Sequence, residues 1–370
     1  MGSLRLAVVG NPGNRRVALL REAAASRGLA EPRVVPWLDV LRGDADFHAG
    51  EIVRIDSPGE DAEVTRLLRG ESGPVDMYRV EGSRPWYEGF VRALKHAVHA
   101  RIEAAGARAL ASAEETAIAF DKARCHALLA ERGIAVPDAI PGVADFASLV
   151  ASRVEHRWDD VYVKIRHGSS ASGVVHVHAD RGGALRAVTS AELHHRSAGD
   201  GYELYNSLKV RTYMRERDIA MVIDRLGQDG LHVEAAIAKL RIDGKATDLR
   251  LVTVDGRVTH AVGRSSDISI TNLHLGGTRC DAHRFREQVG EERWRRIIEL
   301  AERTAACFPR SHCLGIDVLS DRAGADYVGE VNAYGDLLPR LTGLSGTLGE
   351  GVDTYTAQLA SLQSNVRLIR

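Results

Sequence analysis

The stretch ATDLRLVTVDGRVTHAVGRSS, residues 246–266, constrains the fold more tightly than any other in this chain. Two alternating runs flank Asp255 and Gly256, the residue pair that a type I′ turn prefers because both central positions take positive φ. The pattern predicts an antiparallel hairpin, and so an antiparallel sheet in the C-terminal half. Counted outward from a strict two-residue turn, Arg250 and Arg264 fall on opposite faces. They share a face only if a bulge intervenes or Arg264 lies past the strand end.

The opening is of another kind. LRLAVVG reads as a buried strand, NPGNRR as a loop, and the text after it as a helix with Val17, Leu20 and Ala24 on one face that stops at Gly28. EPRVVPW and EIVRIDS read as further strands, and helical text runs from Trp86 to Ala105, so residues 1–110 are expected to form an α/β unit. The NPGN loop sits where a helix N-terminus could hold an anion, but it lacks a GxGxxG fingerprint; it is read as a structural turn and no cofactor is assigned to it.

A second unit begins after residue 110. Ser112 followed by Glu115 has the spacing of a capping box, Asp121 is placed to cap the next helix, and Gly133 and Pro137 end it. Further on, GEERWRRIIELAERTAACF places Trp294, Ile297, Ile298, Ala301 and Ala305 at helical spacing, a core stripe. Residues 181–230 show no readable pattern.

With 370 residues the chain is long enough for two or three domains. Its 49 basic and 50 acidic side chains create no whole-protein field for nucleic acid or an anionic membrane, which leaves a small-molecule partner as the default. Cys125, Cys280, Cys307 and Cys313 form no CxxC pair, in keeping with free thiols in a reducing cytosol and against structural zinc. No signal peptide and no run of about 20 apolar residues is present, so a soluble, cytoplasmic protein is expected.

Three pieces carry chemistry. In YVGEVNAYGD, Glu330 and Asn332 stand two apart on a strand and so share a face. Two readings are open for them: an exposed strand end entering a polar turn, or hard oxygen ligands for Mg²⁺. Asp317 precedes Glu330 on another strand, and a β-β pair of this length can bring the carboxylates together. Lys164 ends an apolar strand just before HGSSASG, a Gly- and Ser-rich loop able to cover phosphates, or else an ordinary hairpin loop beside a snorkelling lysine.

In chain order, FDKARCHALLAERGIAVP, VYVKIRHGSSASGV, HVEAAIAK, DLRLVTVDGRVTHAVGR, TNLHLGG, GIDVL and GEVNAYGD resemble the ATP-grasp superfamily, most nearly its peptide- and glutathione-type ligases. The resemblance runs from about residue 112 to about residue 340. It implies an N-terminal α/β domain over 1–110, a central lid subdomain over 111–232, and a C-terminal subdomain over 233–370, the last two α+β and sandwiching ATP. Lys122 and Lys164 then match the lysines that reach the phosphates, and Gly168, Ser169, Ser170 and Gly173 the loop that closes over them. Glu234 matches the polar hinge residue beside adenine, with the backbone from Ala235 to Ile237 on the base edge. Arg250 and Arg264 match the arginines that hold the acceptor carboxylate and the transferring phosphoryl group; Asp317, Glu330 and Asn332 match the Mg²⁺ ligands.

The chain departs from that pattern at Ile165, where relatives often carry Pro, and in EAAIAK, which offers no acidic residue for the ribose hydroxyls. The implied activity is an ATP-dependent ligase that joins a small-molecule or peptide carboxylate to an amine through an acyl phosphate, releasing ADP and phosphate. A kinase acting on a small-molecule hydroxyl and a non-catalytic nucleotide-binding subunit are the alternatives. His176 with His178, and His194 with His195, are read as surface histidines.

Overall fold

The computed structural model describes residues 4–168, 172–195, 201–334, 338 and 340–368. Three sheets organise them. In the first, β1 (Leu6–Gly10), β2 (Arg33–Pro36), β3 (Ile52–Ile55) and β4 (Arg108–Ala109) lie parallel in the order β2-β1-β3-β4. LAVVG is buried along its whole length because both faces are covered, the usual state of a parallel sheet. Trp37, Phe90 and Leu94 pack with Ala7 and Val9 on one side. On the other, Leu6 and Val8 meet Val17, Leu20 and Ala24 of helix Arg15–Ser26 and, from the far end of the chain, Tyr355, Leu359 and Leu362 of helix Thr354–Leu368. The helical text from Trp86 onward begins earlier, at Ser83, and passes through a π-helical stretch, Ala93–His99, before ending at Ala104.

The second sheet is antiparallel: β5 (Ala139–Ile140), β6 (Asp160–Ile165), β7 (Val175–Ala179), β8 (Leu185–His195), β9 (Tyr202–Tyr213) and β10 (Leu231–Ala235), in the order β5-β10-β6-β7-β8-β9. Alternation on β7 buries Val175 and Val177 and turns His176 and His178 to the other face, where both bond Asp160, at 3.1 and 2.9 Å. The unpatterned residues 181–230 supply β8, β9 and helix Glu216–Gly227, whose Ile219, Val222, Ile223 and Leu226 are buried. Gly173 enters β7 at φ +63°, and a Cβ there would stand 2.4 Å from Ile165 Cδ1, so this end of the glycine-serine loop admits no side chain.

The first two sheets are stitched together by backbone. Val80 N–H donates to Leu204 O at 2.9 Å and Asn206 N–H to Tyr78 O at 2.7 Å, which places the 78–80 segment along the outer edge of β9. Next to it, the buried Asp229 carboxylate accepts from the backbone N–H groups of Gly82 (2.7 Å), Ser83 (3.3 Å) and Arg84 (3.1 Å), capping helix Ser83–Arg92 from a distant part of the chain.

The third sheet comprises β11 (Arg241–Ile242), β12 (Lys245–Val254), β13 (Arg257–Ser266), β14 (Thr278–Cys280), β15 (Cys313–Ser320) and β16 (Asp326–Asn332), ordered β14-β13-β12-β15-β16 with β11 on β12. Leu249, Leu251, Ile316 and Val318 pack with Trp294, Ile297, Ala301 and Ala305 of helix Glu291–Ala306; Leu300 completes that stripe, while Ile298 is only partly buried. Asp255 (φ 53°) and Gly256 (φ 74°) form the expected turn. The strict hairpin count is overturned by a bulge: Thr253 pairs with Val258 but Val252 pairs with His260, leaving Thr259 as the extra residue. Beyond it Arg250 opposes Val262 and Asp248 opposes Arg264, so both arginines share one face.

Of the Ser112–Glu115 capping box only half forms. Ser112 accepts from Glu115 N–H, but the Glu115 side chain turns away to the Arg310 N–H and the Ser311 hydroxyl. Asp121 caps its helix as expected. No helix among the described residues is long and apolar enough to cross a membrane. Asp229→Ala is expected to lower stability by about 1–2 kcal/mol in urea unfolding, as the loss of an N-cap does, and Asp229→Asn to recover most of it. An Ala variant as stable as the parent would show that the cap holds nothing together.

Candidate active site

The polar face of the third sheet carries a row of charge. Arg264 on β13, Asp248 and Arg250 on β12, Asp317 on β15 and Glu330 on β16 are brought side by side by the register pairs Asp248↔Arg264, Arg250↔Asp317 and Asp317↔Glu330. Arg250 Nε and Nη2 both donate to Asp317, the second at 3.0 Å, and Arg264 Nη2 lies 3.0 Å from Asp317 Oδ2. Burial alone would raise the Asp317 carboxyl; the two guanidinium groups overcome it and hold the group well below the usual carboxylate range. Asn332 opposes Gly315, donating weakly to its carbonyl at 3.5 Å, and lies on the face of Glu330 and Asp317.

Residues from the other elements meet this row. Lys122, the first residue of helix Lys122–Glu131, donates to Glu330 Oε1 and to Gly168 O, both at 2.7 Å. It therefore joins the metal-ligand candidate to the phosphate-loop candidate. Asp121 steadies this junction by accepting from Arg166 Nε at 2.6 Å, with His167 Nε2 3.5 Å away. Lys164 on β6 pairs with Glu234 on β10, and His232 Nε2 lies 3.3 Å from the other Glu234 oxygen. Burial would lower the Lys164 ammonium, yet Glu234, with Glu330 and Asp317 adding, holds it above its ordinary value. A cleft bordered by Lys122, Cys125, His126, Lys164, His232 and Glu330 opens between helix Lys122–Glu131 and strands β6, β10 and β16. Burial pushes the Cys125 thiol up to about 12, which leaves it a neutral wall rather than a nucleophile.

Ser169 and Ser170 lie outside the described residues. Within the stretch expected to read a base edge, Ala235 N–H is spent on Asp138 O at 2.8 Å and the neighbouring Ala236 N–H on Asp160 O at 3.1 Å. Neither of these two amides is open to a ligand. Two site residues escaped the sequence reading. Lys239 lies 3.3 Å from Asp248 Oδ2 and also donates to Thr271 Oγ1, while Asp248 accepts from Arg264 Nε at 2.7 Å. Burial, together with Arg264 and Lys164, pulls the Lys239 ammonium below its ordinary value despite Asp248. The Asp-x-Arg spacing was the available signal for Asp248; Lys239 had none beyond its place after the hinge.

The donor set is chemically suited to Mg²⁺: two carboxylates and a carboxamide on adjacent strands, all hard oxygens. Three N–H groups on Asp317 still leave one of a carboxylate's roughly four acceptor positions open.

Burial would raise the Glu234 carboxyl, but Lys164 and His232 bring it from 4.5 down to about 2. Between those values the unfolded chain binds a proton that the native state does not, so this contribution is full above pH 4.5 and disappears as pH falls toward 2. Glu234→Gln is therefore expected to show a flatter loss of stability over that window when urea unfolding is followed at a series of pH values. Equal slopes in parent and variant would remove Glu234 as an acid-sensitive strut.

A family described as YheC/D like ATP-grasp matches residues 116–336. Comparison with curated proteins gives no match. Among solved structures, D-cycloserine synthetase DcsG superposes with a TM-score of 0.57 at 16% identity, over 98% of this chain and 99% of that one. The ATP-grasp ligase PsnB, complexed with a phosphomimetic variant of its minimal precursor, Mg and ADP, gives 0.53 at 16% over 98% and 99%. D-alanine–D-alanine ligase from Bacillus anthracis gives 0.51 at 14% over 99% and 98%. These likenesses show a shared fold, and the matched span takes in both lysines, the hinge, the hairpin and the acidic strands. The chain belongs to the YheC/D-like ATP-grasp family.

Proposed function

We propose that this protein is an ATP-dependent ligase that activates a carboxylate as an acyl phosphate and transfers the acyl group to an amine. The observation that carries the reading is the convergence of Lys122, Lys164, Arg250 and Arg264 with Asp317, Glu330 and Asn332 across the polar face of the third sheet. Family membership and the ligase names of the similar structures support it.

In this reading Lys122 exchanges Glu330 for phosphate oxygens, Lys164 turns to them while still held by Glu234, and the segment from Gly168 to Gly173, Ser169 and Ser170 included, covers them. Arg250 and Arg264, rigidly held by Asp317, set two positive charges beside the acceptor carboxylate and the transferring phosphoryl group, offsetting charge as it spreads. Glu330, Asn332 and the open position of Asp317 would hold Mg²⁺, which when bound supplies neutralisation of phosphate charge. Glu234 fixes Lys164, and Ile237 lies at the base edge. The polypeptide supplies no nucleophile and needs none. The partners are an acid and an amine of small-molecule or peptide size, and the free thiols suit a cytoplasmic setting.

Glu330→Gln is expected to lower Mg²⁺-dependent ATP turnover on the order of a hundred-fold, with stability within about 0.5 kcal/mol of the parent, since Glu330 is only partly buried. Unchanged turnover would reject the metal role. The reaction itself is tested with heavy-oxygen-labelled amino acids and short peptides, ATP, Mg²⁺ and a panel of amines. Label should pass into released phosphate, with ADP as the nucleotide product. AMP with pyrophosphate, or unlabelled phosphate, would overturn the acyl-phosphate route.

A further inference from the structure

A second polar cluster lies at the carboxyl ends of β1 and β3. The chain passes from β1 outward to β2, then crosses back over β1 to β3, so the strand order switches direction between β1 and β3. In open parallel sheets such a switch point leaves a crevice beyond the strand ends, where ligands bind. Asp56 closes this one from the β3 side: its N–H donates to Val9 O at 2.8 Å, and its Cβ lies 3.7 Å from where a Cβ on Gly10 would be.

Four buried polar atoms here have no hydrogen-bond partner among the described residues: Asp56 Oδ2, Arg16 Nη1, Tyr334 Oη and Tyr355 Oη. Asp56 and Tyr355 are each 2% exposed. Arg54 ties the other Asp56 oxygen to the last helix. Asp56 Oδ1 accepts from Arg54 Nε at 2.8 Å, and the Arg54 guanidinium also donates to Gln358 and lies 4.9 Å from the centre of the Tyr355 ring. Burial keeps both phenols neutral, raising Tyr355 to about 12 and Tyr334 well above its ordinary value, so each hydroxyl can donate or accept. Leaving a buried donor or acceptor unpaired costs about 1–3 kcal/mol, and four in one place mark a site built for something polar.

We infer that this crevice binds an α-amino-acid head group, with its ammonium on Asp56 Oδ2 and its carboxylate on Arg16 Nη1 and a tyrosine hydroxyl. The open acceptor is anionic and the open donor cationic, so a ligand bearing both opposite charges satisfies both at once. The inference rests on the ligase reading for its purpose: the crevice anchors the non-reacting end of a substrate whose other end reaches the row of charge. Tyr334 joins the two places, since it follows Asn332 by two residues and its ring lies 5.6 Å from that of Phe120, which precedes Asp121 and Lys122.

Ligand-observed NMR on the full chain tests this, using L- and D-alanine as minimal head groups, propionate and ethylamine as half-ligands, each with and without a non-hydrolysable ATP analogue and Mg²⁺. One alanine enantiomer should bind saturably and at least about ten-fold more tightly than either half-ligand, the scale of one charged hydrogen bond. Tyr355→Phe, which keeps the ring under Arg54, and Asp56→Asn should each weaken it by a similar factor and leave analogue binding unchanged. Failure of alanine to saturate, half-ligands binding as well as alanine, or variants binding it like the parent would overturn the subsite and assign those atoms to water. Failure of the ATP analogue to bind the parent would count against the ligase reading instead, and the alanine titration without nucleotide would still decide the subsite.

Discussion

The carboxylate of Asp317 sits under two arginines and is almost wholly buried, and the arrangement of the third sheet follows from that. Burying an ion costs several kcal/mol even after relaxation, so Asp317 is tolerable only with counter-charges in good geometry. Arg250 comes from the neighbouring strand and Arg264 from the strand beyond it. They can meet on one face only because Thr259 bulges out of β13. Remove that residue and the side chains of β13 beyond it change sides: Arg264 turns toward helix Glu291–Ala306 and loses both carboxylates, leaving Asp317 with Arg250 alone and Asp248 with Lys239 and Thr271. A single inserted residue is thus a condition of charge compensation.

The same accounting extends across the gap between sheets. Lys122, Lys164, Lys239, Arg250 and Arg264 face Glu234, Asp248, Asp317 and Glu330. The pairs that hold the framework, Arg250–Asp317 and Arg264–Asp248, are deeply buried, whereas Lys122–Glu330 is the more exposed. The first two are shielded from competition by solvent, and the third is open to it.

Much of this was legible in the sequence wherever local chemistry dictates structure. The Asp255–Gly256 turn, the Asp121 cap, the buried LAVVG strand and the Trp294 stripe each follow from backbone preference or periodicity within a few residues. What was missed depends on distant partners. The bulge has no signal in the hairpin text; it is pinned by Leu344, whose N–H donates to Thr259 O at 2.8 Å. Glu115 abandons its capping box because Arg310 and Ser311 offer donors that only the folded chain brings near. In residues 181–230, β9 is half exposed and lacks clean alternation. The helix after it did carry Ile219, Val222, Ile223 and Leu226 at helical spacing, a pattern obscured by the polar text around it. Lys239 and Asp248 became visible as a pair only once β12 and the hinge were set against each other.

Helix Thr354–Leu368 lies on the strand at the opposite end of the chain. During synthesis Leu6 and Val8 emerge long before one part of their cover, Tyr355, Leu359 and Leu362. The first sheet must therefore wait, with apolar surface showing, while the other two are made. Contacts of such long sequence separation close slowly and leave a nascent chain open to wrong pairings. A chain that stops short of residue 354 lacks this cover, and the apolar face of Leu6 and Val8 is then the surface it offers to wrong partners.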